Sequence, residues 1–155
     1  MGIVTDQEIL RLYCRTVKKG EAVSHITRAL LAGLKEYNGA GLAANQLGWQ
    51  VRIFAMVYDT LTNIIIINPV ITRERGSQRG IEGCLSLPGV KCDIKRPNIV
   101  TVNGLDQFEE PVRYRFHGQQ ARIACHEIDH LDGKLMIDYG VPLSPFHDLI
   151  KERVL

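Results

Sequence analysis

Residues His126-Glu127-Ile128-Asp129-His130 form an HExxH pentad, and the backbone that makes this spacing productive is an α-helix. Positions i and i+4 then share one face, roughly 6 Å apart along the axis, so two imidazoles can reach one metal ion. Glu127 lies about 100° round the helix from His126 and about 60° from His130. Its carboxylate therefore stands beside the water that such an ion holds, as a base, and not among the ligands. The flanking residues support the helix. Ala121, Ala124, Cys125, Ile128 and Leu131 recur at helical spacing over residues 118–132, and Gly133 offers a C-terminal stop. Alone, the pentad also fits an exposed helix on which two His and two acids face water.

At 155 residues the chain is the size of one domain. No repeat, low-complexity tract or linker divides it, so residues 1–155 are read as a single unit. Residues 23–38 place Ile26, Leu30, Leu34 and Tyr37 on one helical face, closed by Gly39. Residues 39–48 form a glycine-bearing connection. Residues 51–57 and 63–72 are rich in β-branched side chains and predict strands, with Asn68-Pro69 interrupting the second. Residues 99–102 give another short strand, and 112–117 alternate apolar with polar, as a half-buried strand does. Ser144-Pro145 reads as an N-cap and first-turn proline opening a short terminal helix. Strands come first and helices flank or follow them, which predicts an α+β fold.

The net charge is +2, with no Lys/Arg run beyond Lys18-Lys19, so direct nucleic-acid binding is not expected. No apolar run approaches a membrane span and no signal peptide is visible, which points away from a membrane and toward the cytoplasm. Four scattered cysteines, Cys14, Cys84, Cys92 and Cys125, read as free thiols in a reducing compartment.

A catalytic metal needs a third protein ligand and an open position for water. His25 and His147 read as solvated surface residues. His117 ends the strand before the pentad helix, and its alternation with Phe116 accounts for it. Cys84 lies in Glu82-Gly83-Cys84-Leu85-Ser86-Leu87-Pro88-Gly89, where two glycines and a proline predict a tight, irregular loop. Such a loop can aim a thiolate at a metal; a buried cysteine in an ordinary turn fits the same residues.

The segments EGCLSLPG at 82–89, CHEIDHLDG at 125–133 and GAGLAANQLG at 39–48 resemble the three signature segments of the peptide deformylases, in that family's order. The likeness extends over roughly residues 9–145, through Val51-Arg52-Ile53, Asn68-Pro69, Lys134-Leu135 and Asp138-Tyr139. It implies antiparallel or mixed sheets around a central metal-binding HExxH helix, with an N-terminal helix and a short C-terminal one. It implies Cys84, His126 and His130 as ligands to one divalent metal, with water in the fourth position. Ferrous iron would be native, with Zn²⁺, Ni²⁺ or Co²⁺ as substitutes. Glu127 maps to the general base, and Gln46 and the Leu85 N–H to the donors that hold the oxyanion. Gly41, Gly83 and Glu82 map to the substrate-binding wall, and Gly41 with Ala43-Ala44 would let an extended peptide lie close. A Glu82–Arg96 ion pair would brace the cysteine loop, and Asp129 could orient an imidazole. The implied activity is hydrolysis of the formyl group from N-formyl-methionyl nascent peptides, in transient proximity to the ribosome.

The chain departs from the pattern at Cys125, where most relatives carry Gln, which predicts altered packing beside the site. Gln119 and Gln120 stand where relatives are often partly apolar, which bears on the pocket lining. Only ten residues follow Pro145, where many relatives continue a longer terminal helix that in some contacts the ribosome. Two rival functions fit parts of the sequence. An HExxH endopeptidase would want a His or Glu ligand downstream of the pentad. A module that merely binds formylated peptides would not need the full set of Gln46, Cys84, His126, Glu127 and His130.

Overall fold

The computed structural model describes residues 2–143, so the helix expected from Ser144 falls outside them. In chain order the elements are α1 (Gln7–Leu10), α2 (Ser24–Glu36), β1 (Gly41–Ala43), β2 (Ile53–Val57), β3 (Asn63–Arg75), β4 (Gln78–Cys84), β5 (Leu87–Arg96), β6 (Ile99–Leu105), β7 (Pro111–His117), α3 (Gly118–Leu131) and β8 (Val141–Pro142). Single 3₁₀ turns occupy Ala44–Leu47 and Met136–Asp138. A five-stranded sheet runs β1-β2-β3-β6-β7 and a smaller one β4-β5-β8, each pairing antiparallel.

Alternation along β2 and β3 explains the layers. Ile53, Ala55, Ile65 and Ile67 face α2, where they join Ile26, Leu30 and Leu34 in one apolar cluster. Phe54, Met56 and Ile66 face the other way, toward Ala121, Ala124, Cys125, Ile128 and Leu131 of α3. Both faces of the larger sheet are thus covered, which is why these strands read as nearly continuous apolar runs. Each fully buried Ile or Phe contributes about 1.5–3 kcal/mol. The small sheet has its own cluster, in which Cys84, Leu87, Cys92 and Ile94 meet Leu10, Leu135 and Met136. Helix α3 lies on the larger sheet by its apolar face and reaches β4 and β5 with its polar one.

Two expectations are corrected. The segment around Cys84 is no irregular loop. Cys84 ends β4, Leu87 opens β5 opposite it, and the Leu85-Ser86 turn joins them in a hairpin with a register shift between Gly83 and Cys84. The glycines and proline were read as loop-formers, yet Pro88 and Gly89 lie within β5, with Gly89 at φ +75°. The connection at 39–48 likewise contains β1, paired to β2 from Gly41↔Met56 to Ala43↔Phe54.

Asn68-Pro69 interrupts β3 without ending it. It forms a shift in the β3–β6 register between Ile67 and Val70, which accommodates a proline that has no N–H to give the ladder. Asn68 adopts φ +51°. Its Oδ1 accepts from the Val17 N–H at 2.8 Å and its Nδ2 donates to the Val17 carbonyl at 2.9 Å. Asn68→Ala should lose both bonds and put a Cβ residue at positive φ without compensation. The expected cost is about 3 kcal/mol. It should appear as a lowered urea midpoint at unchanged slope; an unshifted midpoint would show that the side chain holds nothing.

Candidate metal centre

Helix α3 carries Arg122, His126 and His130 at i, i+4 and i+8, so all three share one face. Opposite them stands the end of β4. Cys84, His126 and His130 each bring one ligand atom to within 4.8 Å of the others, and all three residues are buried. Cys84 Sγ lies 3.2 Å from His130 Nε2. The imidazoles meet edge to face with centroids 4.9 Å apart. A tetrahedral ion spaces its nitrogen and sulfur donors roughly 3.3–3.6 Å apart, so the cluster is close to coordination geometry.

The polar atoms at its centre support the same fit. His126 Nδ1 is 2.9 Å from Glu82 Oε2, while His126 Nε2 and both Glu127 oxygens are buried without a protein partner. Orphaned groups of this kind cost about 1–3 kcal/mol each. A cation accepting electron pairs from the thiolate and imidazoles, with water for Glu127, would satisfy them.

Charge on these groups is set mainly by burial. Burial pushes the Glu127 carboxyl up to about 7 against the pull of His126. It also drives His130 well below its ordinary value, aided by positive charge on His126. For Glu82 burial acts in the same raising sense, but hydrogen bonds from Arg96 and His126 outweigh it and hold the carboxyl at about 2.

Glu82 was expected to touch substrate, and here the structure corrects the sequence. It is wholly buried, with both oxygens engaged. Arg96 grips it in a fork, Nε to Oε1 at 2.8 Å and Nη2 to Oε2 at 2.9 Å. Arg122 Nη1 adds a third bond to Oε1 at 3.0 Å, and His126 takes the fourth. The expected Glu82–Arg96 pair is thus present, and it extends to the His126 imidazole. Asp129 faces Arg96 Nη1 at 2.5 Å, beside the Tyr139 hydroxyl at 2.7 Å, so it braces Arg96 and does not orient an imidazole.

At Gly41 a Cβ would collide with the Glu127 carboxylate, so the missing side chain makes room for Glu127. Gly83 stands at the register shift just before Cys84, paired with Lys91.

Gln46 is buried and its amide is oriented from behind. Oε1 accepts from the Ala43 N–H at 2.9 Å, which turns Nε2 toward Ser86 Oγ at 3.1 Å and Cys84 Sγ at 3.7 Å. Leu85 occupies the hairpin turn beside it. The neighbouring Asn45 ties the turn to the metal helix, Nδ2 donating to the His130 carbonyl at 2.7 Å. Arg52 Nη1 and the Cys14 N–H hold the Leu131 carbonyl at 3.1 and 2.9 Å. Gly133, at φ +71°, closes the helix as expected, with Lys134 N–H bonded to the Asp129 carbonyl.

Arg122, Ser86 and Asn45 escaped the sequence reading. Only Arg122 left a usable signal, as a cation one turn before a ligand histidine. Among the positions that depart from the family pattern, Cys125 is buried against the sheet, its thiol pushed up to about 12 by burial. Gln119 is exposed, and Gln120 donates to the Tyr58 carbonyl at 2.6 Å.

Comparison with known proteins agrees with this geometry. Residues 2–145 match the family model described as polypeptide deformylase. The peptide deformylase of Dictyoglomus thermophilum is 38% identical over 134 residues, covering 86% of this chain and 87% of that protein. That of Alkaliphilus metalliredigens is 40% identical over 135 residues, covering 86% and 90%. Among solved structures, the peptide deformylase of Ehrlichia chaffeensis superposes with a TM-score of 0.85 at 31% identity, covering 95% of this chain and 89% of that one. The PDF of the Vibrio parahaemolyticus bacteriophage VP16T, solved with actinonin, gives 0.82 at 36% identity, covering 87% and 99%. The chain belongs to the peptide deformylase family, metal-dependent hydrolases that remove the formyl group from an N-terminal methionine.

Proposed function

We propose that Cys84, His126 and His130 hold one divalent ion and that Glu127, Gln46 and Leu85 carry out deformylation around it. The convergence of one thiol and two imidazoles on an unpartnered Glu127 supports this reading most directly. A thiolate with two imidazoles suits Fe²⁺, Zn²⁺, Co²⁺ or Ni²⁺, and we assign ferrous iron because the family resemblance implies it. Bound there, the ion would supply a Lewis acid that activates water and polarises the formyl carbonyl.

The chain's own groups do the rest. Glu127 takes a proton from the attacking water onto its carboxylate and delivers it to the departing amine nitrogen, which becomes the new N-terminus. Gln46 Nε2, already turned to the thiol by Ala43, and the Leu85 N–H donate to the oxygen that gains negative charge. Formate and the deformylated peptide leave. Gly41 keeps the Glu127 carboxylate in its place by offering no side chain to displace it.

We place this action in one domain in the cytoplasm, on nascent N-termini and in transient proximity to the ribosome. Among the described residues no helix is long and apolar enough to cross a membrane. The endopeptidase alternative finds no free ligand in Asp138. Asp138 is held by a two-point pair with Arg11 at 2.8 and 3.0 Å.

The deciding measurement is formate release from formyl-Met-Ala-Ser under anaerobic conditions with iron. Glu127→Gln should retain metal and lose turnover by about 10²–10⁴-fold or more; wild-type rates in that variant would overturn the mechanism. Cys84→Ser should lose most of its metal, read by elemental analysis, and unchanged content would refute the ligand set. Gly41→Ala should keep its metal while its turnover falls about 100-fold, since a displacement near 1 Å at a reacting group has that effect. Normal turnover there would show that Glu127 has room to move.

A further inference from the structure

Arg122 performs none of the steps above, yet it is 2% exposed and aimed at the group that holds His126. We propose that Arg122 is a positioning residue for the metal centre, acting through Glu82 on the ring orientation and tautomer of His126. This rests on the ligand set assigned above.

Three observations carry it. Arg122 and His126 stand one turn apart on the same face of α3 and reach opposite oxygens of one carboxylate. Arg122 Nη1 meets Oε1 at 3.0 Å and His126 Nδ1 meets Oε2 at 2.9 Å. The same Nη1 is also tied to the small sheet, donating to the Ile94 carbonyl of β5 at 3.2 Å. Finally, β4 makes room for it. A Cβ at Gly80 would lie 2.9 Å from Arg122 Nη2 and 3.0 Å from its Cζ, closer than real contacts allow.

Arg96 alone already neutralises Glu82, so a second buried guanidinium needs another reason. Arg96, on β5, also binds Asp129 and Tyr139 through Nη1, so its position answers to those groups as well as to Glu82. Arg122 anchors Oε1 from the helix side, one turn from His126. With Oε1 fixed, the Oε2 lone pair points at His126 Nδ1. The proton then sits on Nδ1, and the Nε2 lone pair is left for the metal, as outer partners of ligand histidines commonly arrange. A second cation of merely structural use would need charge and not this geometry.

The test is cobalt binding by the full chain, read by visible absorption of the thiolate-ligated ion and by titration, alongside kcat and KM on formyl-Met-Ala-Ser. Arg122→Leu should weaken cobalt binding about 10–100-fold and alter the spectrum. Its kcat should fall while KM changes less than about threefold, because the altered group orients a ligand and does not contact substrate. Arg122→Lys keeps the charge but not the planar fork, and should recover only part of the affinity. Gly80→Ala leaves Arg122 in the chain but forces the guanidinium to shift, and should move the spectrum in the same direction. It decides the matter if Arg122→Leu does not fold. A folded variant with lowered thermal stability but unchanged cobalt affinity and spectrum would overturn the proposal, leaving Arg122 a structural cation. Wild-type protein that binds no cobalt would refute the ligand set itself and this proposal with it. Wild-type binding abolished by Cys84→Ser, beside an unchanged Arg122→Leu, would refute Arg122 alone.

Discussion

The carboxylate of Glu82 is the point on which the site depends. It belongs to β4, is gripped by Arg96 from β5, and is met from α3 by Arg122 and His126. A carboxylate taken wholly out of water costs several kcal/mol, and the cost is offset only when its lone pairs are filled with good geometry. Four donors fill them here. Because those donors come from two elements, β5 and α3, and Glu82 itself from β4, the small sheet and α3 are joined by the same bonds that hold the His126 ring. The charges also close on themselves: Glu82 and Asp129 against Arg96 and Arg122. Three of the four are buried and Asp129 is half-buried, and the shortage of water around them strengthens polar interactions at the neighbouring centre.

The β4–β5 hairpin completes the other half. It puts Cys84 at a strand end, where the ladder fixes the direction of its side chain, and sets Leu85 and Ser86 in the turn next to Gln46. The 3₁₀ turn that carries Gln46 is held in turn by Ala43 of β1, two residues from the glycine that clears space for Glu127. Thiol, amide and base thus stand on regular elements, although the sequence around each is rich in glycine. Sites built this way hold their geometry better than sites on free loops.

What the residues disclosed in advance follows from the range of the interactions involved. The pentad and its helix were legible because a 3.6-residue period and the i, i+4 pair are local. The helix at 23–38 and the strands at 51–57 and 112–117 were legible for the same reason. The β4–β5 hairpin was not, because glycines at 83 and 89 and Pro88 signal turns locally, whereas their strand character comes from pairing across the ladder. Asn68-Pro69 was legible as an interruption, but its accommodation by a bulge and by Val17, 51 residues away, was not. Glu82 was legible as a partner of Arg96 but not as one of Arg122 and His126. A charged residue between Ala121 and Ile123 looks like a solvated helix position until β4 supplies a glycine opposite it.

One further consequence comes from the end of α3. His130 is the penultimate residue of its helix, in the turn that ordinarily frays and whose carbonyls have no partners within the helix. Here Asn45, Arg52, Cys14 and the Gly133 cap take up those carbonyls from outside. The last turn is therefore stitched to three distant parts of the chain, and it can open only when they let go. The imidazole it carries is kept on the slow timescale of cooperative unfolding and off the fast one of helix ends. The chain thus protects the proposed coordination site from the motion that its position in the helix would otherwise impose.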